Sequence, residues 1–118
     1  MARQLRAAGH LIYVTTDLGL EGADDDVHLA KDAELGAVLA SQNQSDFDRL
    51  HHRWQAEGKR HAGILDTPQV SIGRRVQWLE RAARLLTPEI AANQLMKLPM
   101  FSTEETGLMF VASLSRKA

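Results

Sequence analysis

Three short apolar runs alternate with helical segments over the first two thirds of the chain, and this alternation limits the fold more than any other feature. The runs are Leu11-Ile12-Tyr13-Val14-Thr15, Ala37-Val38-Leu39-Ala40 and Ala62-Gly63-Ile64-Leu65. Each is too short for a stable helix and continuous rather than alternating, the pattern of a strand covered on both faces. Between the first two lies Asp24-Asp25-Asp26, whose carboxylates suit a helix start, leading to Leu35 with Gly36 as the stop. Between the second and third, Asp46 opens a helix carrying Phe47, Leu50 and Trp54, and Gly58 ends it. Strands alternating with helices predict an α/β domain, three layers deep, with a mainly parallel sheet flanked by helices on both faces. In such sheets ligands bind beyond the carboxyl ends of the strands, so polar residues there are the first candidates for chemistry.

The remaining segments fill in this plan. Residues 1–8 contain good helix formers and precede Gly9, which reads as a short helix with its stop. Ile72, Val76, Leu79, Ala83 and Leu86 are spaced 4, 3, 4 and 3 apart, the stripe of an amphipathic helix. Thr87-Pro88 is a cap followed by proline at the first helical position. The apolar stretch over 107–112 reads either as a final strand or as a flexible end. A length of 118 residues fits one domain spanning 1–118, without internal repeat or linker.

Fourteen basic residues stand against 15 acidic ones, so no global basic excess advertises nucleic acid, and any such contact must come from local patches. The chain has no cysteine, which excludes disulfides and thiolate chemistry. No apolar run approaches a membrane span, and the expectation is a cytoplasmic protein without a membrane partner. Neither GxGxxG nor GxxxxGK[ST] occurs, which disfavours a nucleotide-binding domain.

Asp17, the cluster at 24–26 and Asp46 all follow strands or open helices on the expected ligand edge. Hard divalent cations take oxygen ligands of this kind, although an Asp before a helix is also the ordinary N-cap. His51 and His52 are adjacent on a helix, point in different directions and read as exposed polar residues. His28 lies one turn beyond the acidic cluster, as a second layer around it or as an ordinary helix position. Arg74, Arg81 and Arg84 share a helix side near Trp78, which suits phosphate and base contacts but equally a solvated charged face. Phe101 and 108–111 suit a homodimer contact or completion of the sheet.

Several of these residues occur in the order of a known family. Ala7-Ala8-Gly9-His10, the strand 11–14, Gly22-Ala23-Asp24-Asp25-Asp26-Val27 and Val38-Leu39-Ala40-Ser41-Gln42-Asn43-Gln44-Ser45-Asp46-Phe47 together resemble the short prokaryotic PIN-like proteins grouped with toxin–antitoxin ribonucleases. The resemblance covers roughly residues 2–66. Its most distinctive part is Asn43 through Asp46-Phe47, similar to a PIN variant with Asn where others carry Asp. The resemblance implies a Rossmann-like sheet and Mg²⁺- or Mn²⁺-dependent phosphodiester hydrolysis of RNA. It implies that Asp25 and Asp46 are catalytic and that Asp25, Asn43 and Asp46 hold the metal, with Asp24 or Asp26 replacing Asp25 if the register shifts. A cognate antitoxin is the implied protein partner. The family pattern opens with a strand carrying a further Asp, and this chain begins at the following helix, so the first strand is expected to be missing. An upstream start, a strand supplied by a partner and a degenerate, non-catalytic relative are the three explanations. The expected function is an impaired or inactive PIN-like ribonuclease domain, and the alternative is a non-catalytic binding or oligomerisation module on the same scaffold.

Overall fold

A computed structural model of the chain describes residues 4–7, 10–14, 25–42 and 44–116. The strands are β1 (Gln4–Ala7), β2 (His10–Val14), β3 (Ala37–Ser41), β4 (Ile64–Asp66) and β5 (Leu95–Lys97). The helices are α1 (Asp25–Leu35), α2 (Gln44–Ala56), α3 (Ile72–Leu85), α4 (Pro88–Ala91) and α5 (Glu104–Arg116), with a 3₁₀ turn over Leu98–Phe101. The strands form one sheet in the order β1-β2-β3-β4-β5, with β2 to β5 mutually parallel and β1 antiparallel at the edge. The protein is therefore α/β, with a mainly parallel sheet.

Alternation along the strands sorts the core into two faces. Val38 and Ala40 of β3, Leu65 of β4 and Met96 of β5 pack with Leu79, Ala82 and Ala83 of α3 and Leu114 of α5. The intervening Leu39 and Ile64 pack on the opposite face with Leu29 of α1 and Phe47, Leu50 and Trp54 of α2. Phe47, Leu39 and Ile64 have essentially no exposed surface, and each such burial stabilises the fold by roughly 2 kcal/mol. Gly36 and Gly58 end α1 and α2 at φ 68° and 75°, left-handed positions that glycine adopts without cost. Thr87 caps α4 through its side-chain oxygen, which accepts from the Ile90 N–H at 3.2 Å, with Pro88 in the first turn.

Three local expectations are corrected. Residues 4–7 are not helical: they form β1, paired to β2 from Gln4↔Tyr13 to Ala7↔His10. The helix propensities of so short a segment sum to little and helix nucleation is unfavourable, whereas the open edge of β2 offers a ladder of hydrogen bonds. The sheet therefore carries an antiparallel edge strand where a helix was expected. Residues 107–112 are neither strand nor loose end but the middle of α5. That helix is started by Thr103, whose Oγ1 accepts from the Thr106 N–H at 3.0 Å, and by Glu104 and Glu105 in the first turn. The third apolar run pairs over Ile64–Asp66 rather than 62–65, because Gly63 turns at φ 126° just before the strand. Among the described residues no helix is long and apolar enough to cross a membrane.

Candidate functional site

Helix α2 carries its residues in three stripes at helical spacing. Phe47, Leu50 and Trp54 face the core. Asp46, Arg49 and Arg53 run beside them on one flank, and Asp48, His51 and Gln55 on the other, because positions three and four apart lie on one side. Each flank meets a different neighbour.

The first flank faces α1. Asp25, Asp26, Asp46, Arg49, Leu50 and Arg53 line a cleft of about 540 Å³ that runs along α2 beside the start of α1. Asp26 holds the helices together: its Oδ1 accepts from Trp54 Nε1 at 2.9 Å and its Oδ2 from Arg53 Nη2 at 3.0 Å. Arg49 pairs with Asp46 one turn earlier on its own helix. Asp25, Asp26 and Asp46 thus line one cleft, and arginines bind two of the three. Asn43, Asp24 and Asp17 lie outside the described residues. Among the described residues no three His, Asp or Glu side chains gather at metal-ligand range. Carboxylate oxygens are the donors that a hard cation takes, but Asp46 and Asp26 are each paired with an arginine of the cleft.

The second flank of α2 meets the sheet, and here the chain carries ionisable groups that its pattern did not single out. Register aligns Ser41↔Asp66 and Asp66↔Lys97 across the ends of β3, β4 and β5. Period-two alternation places Asp66 and Lys97 on the α2 side, like Ile64 and Leu95 two residues earlier. Lys97 Nζ reaches Asp66 Oδ2 at 2.5 Å and Asp48 Oδ2 at 3.1 Å. Asp66 has no exposed surface, and no donor reaches its Oδ1. Burial, together with a hydrogen bond shared with Asp48, raises the Asp66 carboxyl to about 7, while the same hydrogen bond holds Asp48 below its usual value. Burial pulls Lys97 down, but its bonds to Asp66 and Asp48 outweigh this and raise it.

Farther along this flank, His51 Nδ1 and His61 Nε2 are 2.8 Å apart, which corrects the expectation that His51 is a free surface residue; His52 is exposed. His61 Nδ1 accepts from the Gly63 N–H at 3.0 Å, so the proton of the neutral ring sits on Nε2 and is donated to His51. This tautomer turns a donor, not a lone pair, toward His51 and leaves the pair poorly suited to hold a metal. Burial first, then the charges of His51 and Arg60, lowers His61 to about 4. Beyond it, Gln55 and Asn93 exchange amide hydrogen bonds at 2.7 and 3.1 Å.

His28 is buried on α1, with Nδ1 lacking a hydrogen-bond partner. Two of the α3 arginines tie it to the following elements: Arg81 donates to the Phe101 carbonyl at 2.8 Å and Arg84 pairs with Glu104. Trp78 packs against the core, while Arg74 stays exposed at the helix start. Phe101 is fully buried, and Leu108 and Met109 are exposed on α5. No protein-family model, curated protein or solved structure matches the chain.

Proposed function

We propose that this chain is a PIN-like, metal-dependent ribonuclease domain of the toxin–antitoxin kind, with little or no activity in the form described. The observation that carries the reading is the cleft lined by Asp25 and Asp26 of α1 and by Asp46 of α2. Asp25 and Asp46 would hold Mg²⁺ or Mn²⁺, and Asp26 keeps α1 docked through Trp54. Bound there, the ion supplies a Lewis acid that polarises the scissile phosphoryl group. Arg49 and Arg53 give the cleft positive charge for backbone phosphates. Low activity follows from the ion pairs, because Asp26 and Asp46 are already neutralised by Arg53 and Arg49.

The same ion pairs favour the second reading, a non-catalytic binding or oligomerisation module. Incubating the protein with single-stranded RNA and Mn²⁺ separates the two. Cleavage that disappears in Asp46→Asn supports the nuclease. RNA left intact, with no Mn²⁺ binding by calorimetry, leaves the binding module.

A further inference from the structure

Helix α5 packs on the face of the sheet opposite α1 and α2, and its inner and outer sides differ. Inward, Phe110, Val111 and Leu114 join the core formed with α3. Gly107 is buried against α3: a Cβ there would lie 2.8 Å from Leu85 Cδ1, so the helix seats closely and its rotation is fixed. Outward, Leu108 and Met109 are 53% and 67% exposed, and with Ala112 and Ser113 they line a mainly apolar groove of about 510 Å³. Apolar side chains gathered in this way mark a contact surface, whereas single exposed ones do not.

This face is complementary to itself. Glu105, Met109, Ala112 and Arg116 are spaced 4, 3 and 4 apart, one stripe of a helix that is acidic at its start and basic at its end. A twofold axis between positions 110 and 111 turns the stripe end for end onto its copy. Large Leu108 and Met109 of one copy then oppose small Ser113 and Ala112 of the other, and Glu105 opposes Arg116. The positive end of each helix dipole meets the negative end of the other. A parallel pairing would instead set acid against acid and base against base.

We propose that α5 pairs antiparallel with α5 of a second copy of this chain, in an isologous contact. The occupant is a second copy because one stripe supplies both halves of every pair, large with small and acid with base. A helix of 13 residues makes a small interface, so the dimer is a weak one that forms at high concentration. It leaves α1 and α2 uncovered and holds whichever reading of their acidic cleft stands.

Sedimentation velocity of the full chain from about 10 µM to about 1 mM tests this. Wild type should shift from monomer toward dimer across that range. Met109→Asp, which puts a charge in the groove, and Ala112→Trp, which fills it without one, should each weaken association about tenfold or more. Val27→Asp alters an apolar residue 49% exposed on α1 and should stay within about twofold of wild type. Glu105→Arg and Arg116→Glu should each weaken association about fivefold, and the two combined should return it to within about twofold of wild type. A monomer at every concentration overturns the proposal and leaves the face to a different protein. A dimer that Met109→Asp and Ala112→Trp leave intact also overturns it, since the contact then lies elsewhere. Charge reversals that do not rescue one another overturn the antiparallel arrangement.

Discussion

Lys97 Nζ lies 2.5 Å from Oδ2 of Asp66, a carboxyl group with no exposed surface at the carboxyl end of β4, an interior strand of the sheet. The contact crosses neighbouring strands as a register pair, and Asp48 of α2 closes it from above. One lysine thus serves two acids, and the buried acid is the one pushed toward its neutral form.

Asp66→Asn should fold, and its stability should depend less on pH than that of the wild type. Asp66 is raised from an ordinary 3.8 to about 7 by folding. The stability from its neutral form is complete below the unfolded value and is lost as pH rises through 7. The amide of Asn donates to Asp48 and accepts from Lys97 at every pH. Urea unfolding should therefore show the variant gaining on the wild type by on the order of 1–2 kcal/mol between pH 5 and pH 8. A variant that instead loses ground as pH rises would show that Asp66 is ionised in the fold.

His61 acts in the opposite sense over an overlapping window. Its value falls from 6.5 to about 4 on folding, so its stabilisation is complete above the unfolded value and is lost as pH drops from 6.5 toward 4. The loss amounts to at most about 3 kcal/mol. His61→Asn, whose side-chain oxygen still accepts from Gly63, should flatten this acid limb. Because Asp66 and His61 oppose one another, the wild-type profile understates both, and the two variants should tilt it in opposite directions. Stability curves at pH 4.5, 5.5, 7 and 8 check this.

Gly63→Ala should destabilise the protein by about 3 kcal/mol or more. Gly63 sits at φ 126°, and a Cβ there would lie 2.8 Å from the Ala91 carbonyl oxygen and 3.2 Å from Val38 Cγ2. Its N–H also supplies the hydrogen bond that sets the His61 tautomer. A urea midpoint close to that of the wild type would contradict this crowding.

The two acids of the cleft should separate in their effect on folding. Asp26→Ala strands the indole N–H of nearly buried Trp54 and should cost on the order of 1–3 kcal/mol. Asp46→Ala removes only an exposed pair and should cost less than about 1 kcal/mol. Equal losses in thermal or urea unfolding would contradict the assignment of Asp26 to α1–α2 docking.

Much of the architecture was legible in the residues alone, because local physics dictates it. Continuous apolar runs at 37–40 and 11–14 have to be covered on both faces, and Gly36, Gly58 and Thr87-Pro88 mark helix ends through backbone conformations that few other residues tolerate. The strand at Gln4–Ala7, the short β5 and the helix over Glu104–Arg116 were not legible. A three- or four-residue strand has no periodicity of its own, and a neighbouring edge decides whether it pairs.

What the sequence by itself determined is the alternation of strand and helix and the polar edge where the candidate acids lie. Tertiary structure alone decided which charges meet across that edge. Asp26 with Trp54 is 28 residues apart, Asp66 with Lys97 is 31, and Asp48 with Lys97 is 49, separations at which no local spacing rule operates. The acids that line the cleft were visible in the sequence and Arg49 is the local partner of Asp46 one turn away, but the pairing of Arg53 with Asp26 came from the fold. Asp66 carries no signal of its own in the sequence; packing buries it beneath α2, where the cost of desolvating a carboxylate changes its chemistry.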